Sequence, residues 1–269
     1  MTTSDAPVTR IATSTAEDVF IRGKSLCKDL IGRVTFTELL FFQILGREPT
    51  PAQTRLVDAC LVTLMEHGLT PSALTTRLVY SSAPEAMQAA VAGGLLAVGS
   101  RFVGTTEDCG ALLERMLSGG ADQAATAAAL VDEHRRARKP MPGFGHPLHK
   151  PDDPRAIRLL ALARELGVAG AHVAAVEALG RAVDAGYGKH LTLNATGAIA
   201  AVLGDCGVPC EILRGFAIIA RAAGLVGHLH EEQHQPTMRT IWEAAEAAIP
   251  SLGATAAAAP PPKSDPPGR

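Results

Sequence analysis

Residues 51–68 are PAQTRLVDACLVTLMEHG, and their apolar side chains recur at spacings of three and four. That period matches one face of an α-helix, which completes a turn in about 3.6 residues. Pro51 suits the first helical position, and Gly68 stands where such a helix should end. The stretch therefore predicts a long amphipathic helix.

The same period extends outward in both directions, while alternating β-branched runs are scarce. It recurs in APEAMQAAVAGGLLAVG (83–99), ADQAATAAALVDEHRRARK (121–139) and PRAIRLLALARELG (154–167). Pro84 is expected as another first helical residue, and Gly167 and Gly207 are expected at helix ends. The sequence therefore predicts an all-α protein.

Composition limits the classes of partner. The 269 residues are 47% hydrophobic and 19% charged, which suits one substantial core or a core with a smaller lobe. Lys and Arg number 25 against 27 Asp and Glu, a formal charge of -2. Because no overall basic field exists, we expect neither nucleic acid nor an anionic membrane as a partner.

Cysteine usage and the first residues indicate the compartment. The five cysteines are odd in number and scattered, mostly in apolar helical patterns, which favours buried free thiols in a reducing environment. Residues 1–20 lack the positive-then-apolar pattern of a signal peptide, and Arg214 and Arg221 interrupt the longest apolar stretch. We therefore expect a cytoplasmic protein.

Both ends differ in composition from the rest of the chain. Residues 1–18 are polar and aperiodic, and residues 249–269 are rich in proline and alanine without an apolar face. Such segments cannot bury enough apolar surface to offset the entropy of ordering. Both are predicted to be disordered.

The stretch KPMPGFGHPLHKPDD (139–153) departs from the helical pattern, because its four prolines and two glycines exclude a regular helix or a central strand. Gly143 and Gly145 flank His146, whose ordinary pKa suits proton transfer near neutral pH. Arg155 opens the next helix, where it can bind a carboxylate through two hydrogen bonds. The loop predicts an acid or base beside a carboxylate clamp, or else a structural histidine with satisfied hydrogen bonds.

The motif PGFGH, a basic residue four positions on, and DPR resemble the signature of the citrate synthase superfamily. Further segments resemble that family in the same order, among them IRGKSLCKDLIGRVTFTELLFFQILGREPT and AIIARAAGLVGHLHEEQ, so that the similarity covers roughly residues 20 to 242. The resemblance implies a homodimer of helical subunits with a large lobe (19–149 and 226–248) and a small lobe (150–225). It also implies coenzyme A as the carrier of the acyl substrate, and no metal.

The resemblance assigns roles residue by residue. His146 would protonate the oxygen of the four-carbon partner in condensation and remove that proton in cleavage. Carboxylate-binding positions fall on Arg155 and Arg221, and another substrate-binding position falls on His67. Coenzyme A would meet Gly143, Gly145 and Lys150, and Arg239 would reach across a dimer interface to the neighbouring site.

Two positions depart from the synthase pattern. Where synthases have a histidine that stabilises the enol of acetyl-CoA, this chain has Phe102, preceded by Arg101, as in the lyase module of ATP-citrate lyase. Where both groups have an aspartate that moves a proton at the acetyl methyl group, this chain has Thr196. A threonine hydroxyl is too weak an acid or base for that step unaided.

The resemblance therefore implies a lyase that splits citryl-CoA, or a related 3-hydroxyacyl-CoA, into acetyl-CoA and an oxo acid such as oxaloacetate. An acyl-CoA-binding protein without catalysis and a citrate or methylcitrate synthase-type enzyme remain as alternatives. The motif GHLHEEQH (227–234) offers side chains suited to a metal, but we interpret it as the polar end of a helix.

Overall fold

The computed structural model describes residues 7–100, 104–120 and 122–249. Within those ranges the chain is built from helices, preceded by a small sheet, which confirms the predicted all-α class. The strands are β1 (Ala12–Ser14), β2 (Val19–Ile21) and β3 (Lys24–Ser25), followed by a π-helical turn (Leu26–Leu30). The helices are α1 (Phe36–Leu45), α2 (Pro51–Met65), α3 (Pro71–Ser82), α4 (Met87–Leu96), α5 (Thr105–Ser118), α6 (Gln123–Arg136), α7 (Pro154–Glu165), α8 (Ala171–Tyr187), α9 (Ala195–Asp205), a 3-10 turn (Cys210–Ile212), α10 (Leu213–His234) and α11 (Met238–Ala248).

The sheet is antiparallel in the order β1-β2-β3, with Ala12 opposite Ile21 and Phe20 opposite Ser25. The predicted disorder through residue 18 is therefore wrong for β1, because its backbone pairs with β2. The amino-acid composition of residues 1–18 gives no signal for the pairing of β1 with β2. The predictions for residues 1–6 and 250–269 lie outside the described residues.

Most predicted helix boundaries are confirmed. Thr50 and Gln53 form a capping box that starts α2, with Pro51 in its first turn. Gly167 and Gly207 follow α7 and α9 with φ of 66° and 84°, as expected at helix ends. Pro84 does not start α4.

Pro84 lies instead in a turn between α3 and α4. The amide of Ala86 donates to the carbonyl of Ala83 over 3.0 Å, and α4 begins only at Met87. Because α3 continues to Ser82, residues 83–86 are needed to reverse the chain. Gly68 lies two residues beyond Glu66, the residue that caps the end of α2.

The core is centred on α9, whose residues Ala198 to Leu203 are all buried. This helix packs against α5, α7 and α8, and its small side chains permit close approach. At Gly204, an added Cβ would lie 2.6 Å from a ring carbon of His172. The continuous core includes Phe41 and Ala220 and draws on both predicted lobes; the division into lobes stays a prediction.

His172 joins three helices through its two ring nitrogens. Nδ1 lies 3.1 Å from Asp205 at the end of α9, and Nε2 lies 3.0 Å from Glu114 on α5. The hydrogen bond to Asp205 and the one to Glu114 raise the pKa of His172, against the opposing effect of burial. A protonated His172 therefore stabilises this junction. All five cysteines are free thiols, as predicted, but the predicted burial is wrong for Cys27, which is exposed, and holds only in part for Cys210.

Among the described residues, one helical stretch, Cys210–His234, is long and apolar enough to cross a membrane by length and composition. Its mean hydropathy is 1.4. The α10 part of this stretch packs against α2, α3 and α4 and includes the buried Arg221 and Glu232. Core helices of other proteins pass the same test.

Candidate active site

The loop between α6 and α7 is held against the start of α9. Gly143 has φ of 81°, and its carbonyl accepts a hydrogen bond of 3.0 Å from the amide of Asn194. A Cβ at Gly143 would lie 2.7 Å from Sγ of Cys109 and 3.0 Å from Cα of Gly197. The side chain of Asn194 also donates to the carbonyl of Gly145 over 3.0 Å. These contacts fix the backbone on both sides of Phe144, two residues before His146.

His146 has a defined hydrogen-bond pattern. Its Nδ1 accepts from the backbone amides of Leu148, at 3.1 Å, and His149, at 2.9 Å. The neutral ring therefore carries its hydrogen on Nε2. Burial, His149 and Arg155 lower the pKa of His146, so the neutral form prevails at neutral pH.

The Nε2 atom of His146 lies 3.2 Å from Nη2 of Arg155. With the hydrogen on Nε2, both atoms are donors and neither satisfies the other. An oxygen atom of a ligand placed between them can accept from both. The two donors, on His146 and Arg155, are therefore placed to bind a negatively charged oxygen.

Arg155 is oriented by Asp153, a fully buried carboxylate. Asp153 accepts from Nε and Nη2 of Arg155, at 3.0 and 2.8 Å, and from the amide of Ala195 at 3.0 Å. Burial raises the pKa of Asp153, but the hydrogen bonds from Arg155 and Ala195 outweigh it and lower the pKa overall. The sequence analysis missed this role of Asp153, although it belongs to the DPR motif.

Arg221 reaches the same site from α10 and is only 9% exposed. Its Nη1 lies 4.0 Å from Oε1 of Glu66 and makes no hydrogen bond within the described residues. Burial lowers the pKa of Arg221, and Glu66 partly opposes that effect. The guanidinium of Arg221 is therefore largely buried and does not extend to solvent.

Three histidine rings meet beside these arginines. The ring of His67 lies 6.1 Å from that of His146 and 6.3 Å from that of His149. Burial, Arg155 and His149 lower the pKa of His67. His149 lies closest to His146, with ring centroids 4.4 Å apart. The sequence analysis did not single out His149, although a histidine three residues after His146 was a visible signal.

Glu66 connects this cluster to a buried arginine. Its Oε1 accepts hydrogen bonds from the amides of His67 and Gly68, each at 2.7 Å. Its Oε2 lies 3.0 Å from Nε2 of His228, but the angle does not suit a hydrogen bond. Burial raises the pKa of Glu66, but His228 and the amide of His67 lower it overall. On its other side, Nδ1 of His228 accepts from Nη2 of Arg77 at 2.8 Å.

Arg77 is fully buried and links α3 to α10. Its Nη1 donates to Oε2 of Glu232 over 2.6 Å and to Thr237 over 3.1 Å, and its Nη2 pairs with Glu231. The polar motif at residues 227–234 therefore binds an arginine of another helix, a partner that the sequence analysis did not identify.

Thr196 belongs to the cap of α9. Its hydroxyl donates to Oδ1 of Asn194 over 2.7 Å and lies 2.9 Å from the hydroxyl of Thr105. Thr196 thus has a structural role at the start of this helix.

Three other predicted residues are Phe102, Lys150 and Arg239. Phe102, like Arg101, is outside the described residues. Lys150 is exposed on the loop. The side chain of Arg239 is 90% exposed on α11, where it pairs with Glu243 at 2.9 Å. The structure brings together His67, His146, Arg155 and Arg221 among the predicted residues.

An open cavity of about 550 Å³ adjoins Gly145 on the same loop. It combines three cations with apolar and aromatic side chains, and the guanidinium of Arg135 lies 5.8 Å from the ring of Tyr187. Its lining residues are Arg135, Arg138, Lys139, Pro140, Met141, Phe144, Gly145, Tyr187 and Leu191. The cavity suits a ligand with both anionic and planar groups.

Comparison with solved structures identifies proteins that share this fold. The solved structure of citryl-CoA lyase from Hydrogenobacter thermophilus superposes with a TM-score of 0.82 at 32% identity and covers 94% of this chain and 97% of that chain. ATP citrate lyase from Methanosaeta concilii, solved in complex with (3S)-citryl-CoA, gives a TM-score of 0.70 at 20% identity, over 87% of this chain and 40% of that chain. The second match shows a shared fold.

Sequence comparison gives the family. A citrate synthase of Acidithiobacillus ferridurans is 24% identical over 199 residues, which are 71% of this chain and 50% of that protein. The chain spans about half or less of the length of the curated relatives it matches. The family model described as citrate synthase, C-terminal domain, matches residues 22–242. With that match and a citrate synthase-like helical fold, this chain belongs to the citrate synthase superfamily of CoA-dependent lyases and synthases.

Proposed function

We propose that this protein is a CoA-dependent carbon-carbon lyase. It cleaves citryl-CoA, or a related 3-hydroxyacyl-CoA, to acetyl-CoA and an oxo acid such as oxaloacetate. The observation that carries the proposal is the convergence of two donors, Nε2 of His146 and Nη2 of Arg155, at a distance of 3.2 Å. The similarity to citryl-CoA lyase over nearly the whole of both chains supports the lyase direction.

The two arginines explain the preference for a substrate with several carboxylates. Arg155 is fixed by Asp153 before any ligand binds and presents a rigid guanidinium. Arg221 has an unsatisfied buried nitrogen, which a ligand carboxylate can pair with. His67, close to both, adds a polar contact to the same ligand.

His146 acts on the oxygen at the carbon where the bond breaks. With its hydrogen on Nε2, it donates a hydrogen bond to that oxygen and stabilises negative charge as the carbonyl forms. This assignment differs from the sequence-based expectation, in which His146 removes the hydroxyl proton. The two backbone amides at Nδ1 favour the donor role.

The CoA part of the substrate fits the cavity beside Gly145. Arg135, Arg138 and Lys139 supply charge for phosphate groups, and Tyr187 supplies a planar surface for a base. Lys150, exposed on the same loop, is a further cation for this part. Gly145, where an added Cβ would meet nothing within 4 Å, leaves the loop backbone accessible to the thioester, whereas Gly143 is buried against Cys109 and Gly197.

The functional unit is a homodimer in the cytoplasm. Helix α4 has no charged residue, and Met87 and Leu96 are 41% and 88% exposed on it. A second copy of this chain would cover such an apolar surface. In that dimer Arg239 would be available to the neighbouring site, as the family resemblance implies.

The test is incubation of the purified protein with citryl-CoA, with citramalyl-CoA, and with oxaloacetate plus acetyl-CoA, followed by mass spectrometry of the products. We expect citryl-CoA to yield acetyl-CoA and oxaloacetate. His146→Ala should lower the rate by at least about 100-fold, because one donor to a developing oxyanion is typically worth that much. His230→Ala, which removes an exposed histidine of α10, is the matched control and should leave the rate unchanged.

A second candidate is an acyl-CoA-binding protein without catalysis, favoured by the use of the Thr196 hydroxyl in a helix cap. It predicts binding of the CoA esters without turnover of any of them. A condensing enzyme of the citrate or methylcitrate synthase type predicts product only from oxaloacetate plus the acyl-CoA.

A further inference from the structure

Cleavage of a 3-hydroxyacyl-CoA moves one proton from oxygen to carbon. The hydroxyl proton must leave as the carbonyl forms, and the enolate of acetyl-CoA must gain a proton at its methylene carbon. Thr196 cannot carry that proton, because its hydroxyl is neither acidic nor free of the contact with Asn194. The nearby carboxylates, Asp153 and Glu66, have pKa values lowered by their partners and are engaged by them.

Among the described histidines, His149 has the ring nearest to that of His146. Their ring centroids lie 4.4 Å apart with planes inclined by 31°. Within residues 7–100, 104–120 and 122–249, the ring nitrogens of His149 make no hydrogen bond, whereas both nitrogens of His146 have neighbours. The ring is partly exposed and therefore accessible to a ligand.

We propose that His149 is the proton carrier of the reaction. The inference rests on the proposed function and assigns a catalytic residue that the family pattern does not supply in this chain. The ring of His149 takes the proton from the tertiary hydroxyl, and the electron pair of that O–H bond forms the carbonyl as the carbon-carbon bond breaks. The pair from the broken bond becomes the enolate, whose methylene carbon then takes the same proton back. Reactants and products balance with no further reagent.

The distances favour His149 over His67. A substrate oxygen that accepts from His146 lies about 3 Å from Nε2, and the methylene carbon is two bonds from that oxygen. The ring of His149 is centred 4.4 Å from that of His146, whereas the ring of His67 is centred 6.1 Å away. His67 also interacts with both arginines, which places it on the carboxylate side of the substrate.

The experiment compares His149→Phe, which keeps a ring beside His146, with His149→Ala and with the control His230→Phe. Citryl-CoA cleavage is measured together with the exchange of acetyl-CoA methyl protons in D2O with oxaloacetate present. Both His149 variants should lose about 100- to 10,000-fold in kcat, with KM for citryl-CoA changed only a few-fold. Exchange should fall in parallel, and added imidazole should restore part of the rate to His149→Ala only.

Rescue by a carboxylate is a second, independent readout. Adding Thr196→Asp to His149→Phe places an acid-base group where the family has one, and the double variant should cleave faster than His149→Phe alone. Thermal melting checks that every variant is folded.

The outcomes separate this inference from the proposed function. If the wild-type protein cleaves citryl-CoA and His149→Phe does so at the same rate, the lyase stands and the role of His149 is refuted. A loss of rate that comes entirely from a raised KM, without imidazole rescue, also refutes proton transfer by His149. If the wild-type protein binds the CoA esters but neither cleaves them nor exchanges methyl protons, both proposals are wrong.

Discussion

Two glycines of the active-site loop provide a matched pair for testing what fixes His146. Gly143 and Gly145 have nearly the same backbone angle, with φ of 81° and 85°. They differ in the space around them. An added Cβ at Gly143 would lie 2.7 Å from Sγ of Cys109 and 3.0 Å from the backbone of Gly197, whereas at Gly145 it would meet nothing within 4 Å.

The expected costs follow from that difference. In both Gly143→Ala and Gly145→Ala the left-handed backbone costs about 1–2 kcal/mol. Gly143→Ala adds overpacking against a buried helix, which typically costs about 1–3 kcal/mol. We therefore expect the free energy of unfolding to fall by about 2–5 kcal/mol for Gly143→Ala and by about 1–2 kcal/mol for Gly145→Ala.

Urea titration of both variants, followed by circular dichroism, measures these changes. The lyase rate of Gly143→Ala should fall by about 100-fold, since a displacement of about 1 Å can have that effect and α9 cannot move aside. In a Cys109→Ala background the destabilisation by Gly143→Ala should shrink by at least about 0.5 kcal/mol, because the closest contact is gone. Equal destabilisation by the two glycine substitutions would refute the steric argument.

Four further predictions concern charge and protonation. Arg77→Met should destabilise the fold by about 3–5 kcal/mol, because it leaves the buried Glu232 unpaired. Arg221→Met should leave the melting temperature unchanged or higher, because Arg221 lacks a close partner. The same substitution should raise KM for citryl-CoA about 100-fold. His172→Gln should lower the free energy of unfolding by about 1.5 kcal/mol near pH 6 and by less near pH 9, as measured in thermal melts. The pKa of His172 is raised in the folded state. The stability that His172 contributes is therefore complete below its pKa in the unfolded chain and is lost as pH rises through its pKa in the folded protein. Thr196→Asp should raise the rate of acetyl-CoA condensation with oxaloacetate, since it restores a group that can move a proton at the methyl carbon. If neither the wild-type protein nor Thr196→Asp shows turnover in a coupled thiol assay, the result favours an acyl-CoA-binding protein without catalysis.

The helices were predictable because their signal is local. Apolar spacing, Pro51 and the glycines after α7 and α9 act within a few residues, so the sequence alone predicts these elements and most of their ends. The placement of Pro84 was wrong because α3 continued two residues past Tyr80 before the chain turned. The strand β1 was missed because three residues carry too little pattern, and its stability comes from pairing with β2.

The site was predictable only in part, because some of its contacts join residues that are far apart in the sequence. His146 and Arg155 share one motif and lie nine positions apart, so their proximity follows from the sequence. Arg77 and His228 are separated by 151 positions, and no periodicity identifies one as the partner of the other. The contact depends on how α3 packs against α10, which is a property of the whole fold.

The two arginines of the site differ in how completely their charge is balanced, and that difference suits a binding site that must also release its product. Arg155 is held at 2.8 Å by a carboxylate that is fully buried, so its orientation does not depend on a ligand. Arg221 faces the half-exposed Glu66 at 4.0 Å, a pairing weak enough for a substrate carboxylate to replace. Because Glu66 keeps the amides of His67 and Gly68 and the ring of His228 as partners, it stays satisfied when Arg221 changes partner. On the proposed function, Arg155 therefore positions the substrate, and Arg221 exchanges the carboxylate of Glu66 for a carboxylate of the substrate.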